Sequence, residues 1–351
     1  MMNTKQLVFL VLPVLAACGG AQETADTKTL PEAAPAVSWI PEGYNSVTPG
    51  LVVEDVDAAV EFYVNAFGAE PRMKIAGPDG KTMHQEIRLG SGVVMLGAAV
   101  KGKNKTPTQL GGTPVSVNYY VKDVDSVFAQ AIAAGGKAIM PLENQFWGDR
   151  WGLMIDPFGH QWGLATAKVA LTPDQIKAGA EVGYAPGGKK KITAIWKKAK
   201  PAASYIQPGY TEVSIALHMA DNTEQLEQYK KFGGSIRNVM PMPNGKLMHA
   251  EYVVGDSAVM LSDEMPEFGT KSPKTLGGTP AFIFTYVKNV DAATKAAAAA
   301  GAKTKGPTEM FWGDRVSWVE DASGHLWMFA THVRDVSPAQ MQEAVKAMSK
   351  Q

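Results

Sequence analysis

His84 and Glu86 stand two residues apart in Met83-His84-Gln85-Glu86-Ile87-Arg88-Leu89. Side chains alternate along an extended strand, so His84, Glu86 and Arg88 share one face and mostly apolar residues the other. A carboxylate beside an imidazole orients it and raises its basicity, which suits general-base catalysis. The same pair on a solvated strand face, or in a structural hydrogen bond, does no chemistry. The pair recurs as His249 and Glu251, opposite Met248, Ala250 and Tyr252. These four residues are the candidate catalytic groups.

A second string joins large aromatics to charge. Phe146-Trp147-Gly148-Asp149-Arg150 returns 165 residues later as Phe311-Trp312-Gly313-Asp314-Arg315. Trp147 and Trp312 are suited to wall an apolar ligand site, with Arg150 and Arg315 meeting a carboxylate or other anion. The competing reading is an Asp149–Arg150 or Asp314–Arg315 ion pair that locks a loop over a packed aromatic. His160 and His325 lie in Gly-His turns, where imidazole commonly fixes loop backbone. His218 and His332 have no counterpart in the first half, and with His249 they offer a metal site private to the second.

The 165-residue step runs through the chain. Pro78-Asp79-Gly80-Lys81 becomes Pro243-Asn244-Gly245-Lys246, Phe67-Gly68 becomes Phe232-Gly233, and Gly159-His160 becomes Gly324-His325. Leu110-Gly111-Gly112-Thr113-Pro114 returns as Leu276-Gly277-Gly278-Thr279-Pro280, one residue further on. The chain is therefore two drifted copies of one domain. In the first copy a strand is expected over residues 47–54. Asp55-Val56-Asp57 then opens a helix that Gly68 ends, and strands follow near 70–76, 81–89 and 92–98. The β-α-β-β-β order restarts with a strand at 115–121, a helix from Asp123 to about Ala134, and strands near 137–142, 152–156 and 161–165. The second copy repeats this from about Gly209 to Val333. Short helices with a hydroxyl cap and proline at the first position are expected at Thr172-Pro173 and Ser337-Pro338. Gly187-Gly188-Lys189-Lys190-Lys191 reads as a solvated linker.

The 351 residues carry 34 basic and 34 acidic side chains, so no net field draws nucleic acid. Lys5, the short apolar run from Leu7 and the small residues Leu15-Ala16-Ala17 describe an export signal over residues 1–17. Cys18, the one cysteine, excludes an intrachain disulfide. Leu15-Ala16-Ala17-Cys18 resembles the lipobox of bacterial lipoproteins, which implies a lipidated Cys18, a membrane anchor and a cell-envelope location, the outer membrane if the cell is Gram-negative. Residues 18–39 read as lipidated cysteine and flexible tether.

The paired β-α-β-β-β units, the Asp-x-Asp helix openings with Phe62-Tyr63, the Phe-Trp-Gly-Asp-Arg strings and the turns Asp156-Pro157-Phe158-Gly159-His160 and Asp321-Ala322-Ser323-Gly324-His325 together resemble the vicinal oxygen chelate superfamily. Within it they are most similar to PhnB-like glyoxalase/bleomycin-resistance proteins. The resemblance implies an α+β fold of two tandem glyoxalase-like domains, residues 40–168 and 207–334, joined by a linker with a short helix over 169–206 and followed by a helical tail over 335–351. The tandem is expected to pair within the chain, as single domains of the superfamily pair with each other. The superfamily's usual metal ligands are His or Glu on the first and last strand of each half. Those positions here carry Thr48, Ser116, Ser214 and Phe282 on opening strands, and Gly163 and Met328 on closing strands. No metal ligands carry over and no cofactor is expected, with a divalent metal as the alternative. The expected function is binding of a small organic molecule in concave sites. A lyase- or dioxygenase-type enzyme using the His-x-Glu pairs, and an envelope scaffold, are the alternatives.

Overall fold

The computed structural model describes residues 37–348 except 78, 184–187, 243 and 267–268. The export signal, Cys18 and the tether up to residue 36 lie outside the described residues. Among the described residues no helix is long and apolar enough to cross a membrane.

Four β-α-β-β-β modules follow one another. The first is β1 (Val47–Val53), α1 (Val56–Phe67), β2 (Glu70–Ala76), β3 (Thr82–Leu89) and β4 (Gly92–Ala98). After the turn of helix α2 (Pro107–Leu110), the second is β5 (Val115–Tyr120), α3 (Val124–Ala133), β6 (Lys137–Asn144), β7 (Asp149–Ile155) and β8 (Gln161–Ala167). A connector holds β9 (Val169–Ala170), α4 (Pro173–Gly183), α5 (Gly188–Trp196) and β10 (Lys200–Pro201). The third module is β11 (Val213–Met219), α6 (Asn222–Lys231), β12 (Ser235–Pro241), β13 (Leu247–Val254) and β14 (Ser257–Asp263). After α7 (Pro273–Leu276), the fourth is β15 (Ala281–Tyr286), α8 (Val290–Ala299), β16 (Lys303–Glu309), β17 (Asp314–Glu320) and β18 (Leu326–His332), with α9 (Pro338–Met348) at the end.

The Asp-x-Asp openings work as the sequence implies. Asp55 accepts from the Ala58 backbone N–H at 3.0 Å, and Asn289 does the same for Ala292 at 2.9 Å, each satisfying an orphan donor of the first turn. Two expectations change. The Gly-Lys stretch expected as a solvated linker begins α5, with Ile192 buried and the Trp196 indole donating to the Gln145 carbonyl at 3.0 Å. β7 starts at Asp149, three residues before the expected 152, so the last two residues of the aromatic string belong to a strand.

The modules pair across the duplication. One eight-stranded sheet has the order β16-β17-β18-β15-β1-β4-β3-β2, combining the first and fourth modules; the other has β12-β13-β14-β11-β5-β8-β7-β6, combining the second and third. We call these the terminal and middle sheets. Their central joints are antiparallel, β1 against β15 with Thr48 opposite Phe284, and β11 against β5 with Ser214 opposite Asn118. Helices and the inward sheet faces share one continuous apolar core containing Tyr63, Trp162, Tyr229 and Trp327, all fully buried. Each such side chain contributes about 1.5–3 kcal/mol. Its polar pins also recur: Tyr63 and Trp162 donate to Asp156 at 2.6 and 3.0 Å, and Tyr229 and Trp327 donate to Asp321 at 2.7 and 2.9 Å.

Candidate functional site

The candidate residues meet on the sheet faces turned away from the helices, and each face draws on both copies. On the terminal sheet, Met95, Phe284, Tyr286, Met310, Val316 and Ala330 form a separate apolar cluster. Trp39, Ile40 and Tyr44, from the segment before β1, pack onto it beside Trp312, Trp318 and Met328. Trp39 thus belongs to the fold, where the sequence reading ended the tether. On the middle sheet, Tyr120, Ala165 and Ala167 are covered by Tyr205, Ile206 and Tyr210, from the segment before β11, beside Trp151.

His84 and Glu86 share the helix-free face of β3, as alternation requires, yet the two groups are not hydrogen bonded. His84 Nε2 lies 3.9 Å from Glu86 Oε1, and the phenol of Tyr44 reaches both Glu86 oxygens at 2.6 and 2.7 Å. Burial, with the Glu86 charge adding to it, holds the Tyr44 phenol well above its ordinary range, so it remains a donor. In the second copy Glu251 accepts from Tyr210 at 2.6 Å, Arg237 at 2.5 Å and Asn238 at 2.9 Å, with His249 Nε2 3.3 Å away. Burial pushes the Glu251 carboxyl up, but these donors outweigh it and bring it down to about 2. Glu86 and Glu251, 1% and 3% exposed, are therefore acceptors enclosed by donors, while His84 and His249 are about a quarter exposed.

Opposite each glutamate stands an aspartate of the other copy. Asp149 accepts from Tyr120 at 2.8 Å, the Trp147 indole at 3.1 Å and Gln207 at 2.7 Å. Asp314 accepts from Tyr286 at 3.1 Å, the Trp312 indole at 3.0 Å and His332 at 2.7 Å. Burial pushes Asp149 up to about 6 and raises Asp314 as well. The tyrosines bridge the two sides: the Tyr120 and Tyr210 rings lie 6.1 Å apart, and those of Tyr44 and Tyr286 lie 5.9 Å apart. The result is carboxylate–tyrosine–tyrosine–carboxylate, built twice, linking Glu86 through the tyrosines to the aspartate that holds Trp312, and Glu251 to the one that holds Trp147.

Trp147 and Trp312 spend their indole N–H groups on the adjacent aspartates, so they brace the string as well as walling the face. Gly148 and Gly313, both at φ 101°, permit the tight turn; a Cβ would lie 2.4 Å from the Val169 carbonyl or 2.0 Å from that of Arg334. The arginines go elsewhere. Alternation along β7 puts Arg150 on the helix side, where its Nε meets Asp125 at 2.6 Å; Arg315 meets Asp291 at 2.9 and 2.7 Å. Neither arginine faces the site with the tryptophans, and neither pairs with its neighbouring aspartate.

His160 and His325 fix backbone, but across strands: their Nε2 atoms meet the carbonyls of Val52 at 2.9 Å and His218 at 3.0 Å. The histidines of the second copy do not converge. His332 sits on the terminal sheet between Asp314 and Asp335, whereas His218 and His249 belong to the middle sheet, with His218 on Ser262 at 3.0 Å. The positions that the superfamily uses for metal carry Thr48, Phe282 and Met328 on one sheet and Ser214, Ser116 and Gly163 on the other. That donor set does not fit a transition metal. Among the described residues no group of three or more His, Cys, Asp or Glu is placed to hold a metal ion.

Sequence reasoning missed the four tyrosines. A signal existed for two of them: Trp39-Ile40-Pro41-Glu42-Gly43-Tyr44 and Tyr205-Ile206-Gln207-Pro208-Gly209-Tyr210 share a pattern ahead of corresponding strands, across the expected starts of the two domains at residues 40 and 207.

A family model described as the Glyoxalase/Bleomycin resistance protein/Dioxygenase superfamily matches residues 43–164 and 211–329. An uncharacterized protein of Mycobacterium bovis is 44% identical over 137 residues, covering 38% of this chain and 90% of the relative. An uncharacterized protein of Mycobacterium tuberculosis is 44% identical over the same length, covering 81% of the relative. Among solved structures, glyoxalase I from Zea mays matches with a TM-score of 0.52 at 15% identity, covering 87% of this chain and 96% of that one. A putative dioxygenase from Bacillus subtilis matches with a TM-score of 0.50 at 10% identity, covering 84% and 89%. At these identities the structural likeness is one of fold.

Proposed function

The chain belongs to the glyoxalase/bleomycin resistance protein/dioxygenase superfamily, and we propose that it is an exported, lipid-anchored member that binds a small organic molecule on its cross-copy sheet faces without the superfamily's usual metal. The paired motifs and aromatic strings favour a PhnB-like kinship within it. The observation that carries the binding reading is the enclosure of Glu86 and Glu251. A general base needs an oxygen, or an imidazole driven by one, free to meet substrate. Here Tyr44 occupies both oxygens of Glu86, and Tyr210, Arg237 and Asn238 occupy Glu251, so the segments before β1 and β11 are tied to the sheets through these carboxylates. The lipobox at Leu15–Cys18 supports anchoring.

The test is a fragment panel against the detergent-solubilised full chain by ligand-observed NMR, with metal content by mass spectrometry after purification without chelators. Saturable binding without stoichiometric metal is the expected result. A near-stoichiometric transition metal, or no binding anywhere in the panel, refutes the reading. Labelled palmitate should enter the protein and be lost with Cys18→Ala. One observation favours a second, enzymatic reading at the middle sheet: His249 is 29% exposed and 3.3 Å from Glu251. Turnover of a bound fragment that disappears in His249→Ala, with folding intact, would establish it.

A further inference from the structure

The two sites descend from one repeat and have diverged at the centre of each sheet. On the terminal sheet the central positions carry Phe282, Phe284 and Met328, packed with Met95 and Trp318. The Phe282 ring lies over Gly50, where a Cβ would be 2.1 Å away. The corresponding middle-sheet positions carry Ser116, Asn118 and Gly163, with Ala216 in place of Gly50. Bulky apolar side chains fill one face; small and polar ones line the other.

Asn118 and Ser214 stand opposite each other in the β5–β11 register, 7% and 4% exposed. Asn118 Nδ2 and Ser214 Oγ are buried without a hydrogen-bond partner. Such atoms are rare in folded proteins because their lost hydration goes uncompensated. Beside them Gly163 leaves room for the Asn118 amide oxygen and the Trp151 indole, which a Cβ would meet at 2.3 and 2.7 Å.

We propose that Asn118 and Ser214 are the recognition point for an uncharged molecule with a carbonyl-type acceptor on a flat apolar body, and that only the middle sheet takes it up. This rests on the small-molecule reading above and adds the face and the chemistry. Asn118 Nδ2 donates to the acceptor, Ser214 Oγ completes its hydrogen bonding, and Trp151 offers a flat apolar surface. An ionic ligand finds no free counter-charge among the site's named groups. Glu251 is held by Arg237, and Arg150 lies on the helix side against Asp125.

The probe is benzamide, with benzoate as its charged isostere and toluene as the ring alone, titrated by saturation-transfer NMR. Benzamide should saturate, with the other two at least about ten-fold weaker, the scale of one well-formed hydrogen bond to a buried partner. Asn118→Phe, which installs the terminal sheet's residue, should abolish binding, and Phe284→Leu should leave it unchanged. Because Asn118→Phe risks misfolding, Ser214→Ala provides a second test: weaker benzamide binding with an unchanged or higher denaturation midpoint. Equal binding of benzoate, loss through Phe284→Leu with Asn118→Phe silent, or a destabilised Ser214→Ala with full binding overturns the inference and leaves the general reading standing. Failure of all three probes overturns it too, and the general reading falls only if the wider fragment panel is also silent.

Discussion

Asp149 offers a quantitative test of the bridged carboxylates. Burial holds its folded-state carboxyl at about 6 against an ordinary 3.8, and the group is only 1% exposed. Below pH 3.8 both folded and unfolded chains carry the proton. Between 3.8 and 6 the unfolded chain has released it while the fold retains it, so this group makes stability fall as pH rises. Above 6 the loss is complete. Linkage gives about 3 kcal/mol over the whole span, of which about 2 kcal/mol falls between about pH 4.5 and 7.5. His218 opposes it: half-buried, with desolvation lowering its pKa to about 4, it stays neutral in the fold and loses stability as pH drops below 6.5. The absolute pH profile therefore mixes terms, and a difference isolates one. Asp149→Asn keeps an acceptor for Tyr120 and Trp147 and removes the titration. In urea unfolding at several pH values, the gap in unfolding free energy between variant and wild type should move in the variant's favour by about 2 kcal/mol from about pH 4.5 to 7.5, whatever its offset from the disturbed Gln207 contact. A gap that stays flat, or moves the other way, refutes the assignment of Asp149 as a carboxyl whose pKa burial raises.

Tyr210→Phe removes a donor to a carboxylate that is 3% exposed and should cost about 1.5–3 kcal/mol in chemical denaturation. Arg150→Ala breaks an ion pair whose aspartate is half exposed, so it should cost no more than about 1 kcal/mol and leave fragment binding unchanged by NMR titration. Gly50→Ala drives a methyl into the Phe282 ring and should destabilise by about 1–3 kcal/mol, read from the denaturation midpoint.

The duplication, the four modules and most strand limits were legible because helix caps, turn glycines and alternation are local signals. His84 and Glu86 were placed correctly on one strand face for the same reason. What the sequence hid was partnership. Nothing in Met83–Leu89 states that Glu86 meets Tyr44 from outside the strand, or that Trp312, not Trp147, lies across from it. Both depend on which module pairs with which, a long-range choice that the repeat leaves degenerate. Arg150 was misdirected because the strand was expected to begin at 152: once β7 begins three residues earlier, at Asp149, alternation sends Arg150 to the helices.

The crossed pairing also sets a schedule. The middle sheet joins neighbouring modules and needs chain only from residue 115 to 263, whereas the terminal sheet ties β1 to β15, with β18 on the far side of β15, and is complete only at residue 332. Closing that longer loop adds only a small entropic cost, since the penalty grows logarithmically with length, but it cannot begin until β15, Ala281–Tyr286, has been synthesised. An emerging chain therefore carries β1 unpaired along one edge through most of its synthesis. That delay would suit the export proposed above, in which the chain is threaded unfolded through a membrane, and it makes C-terminal truncation damaging to the first residues of the fold rather than the last.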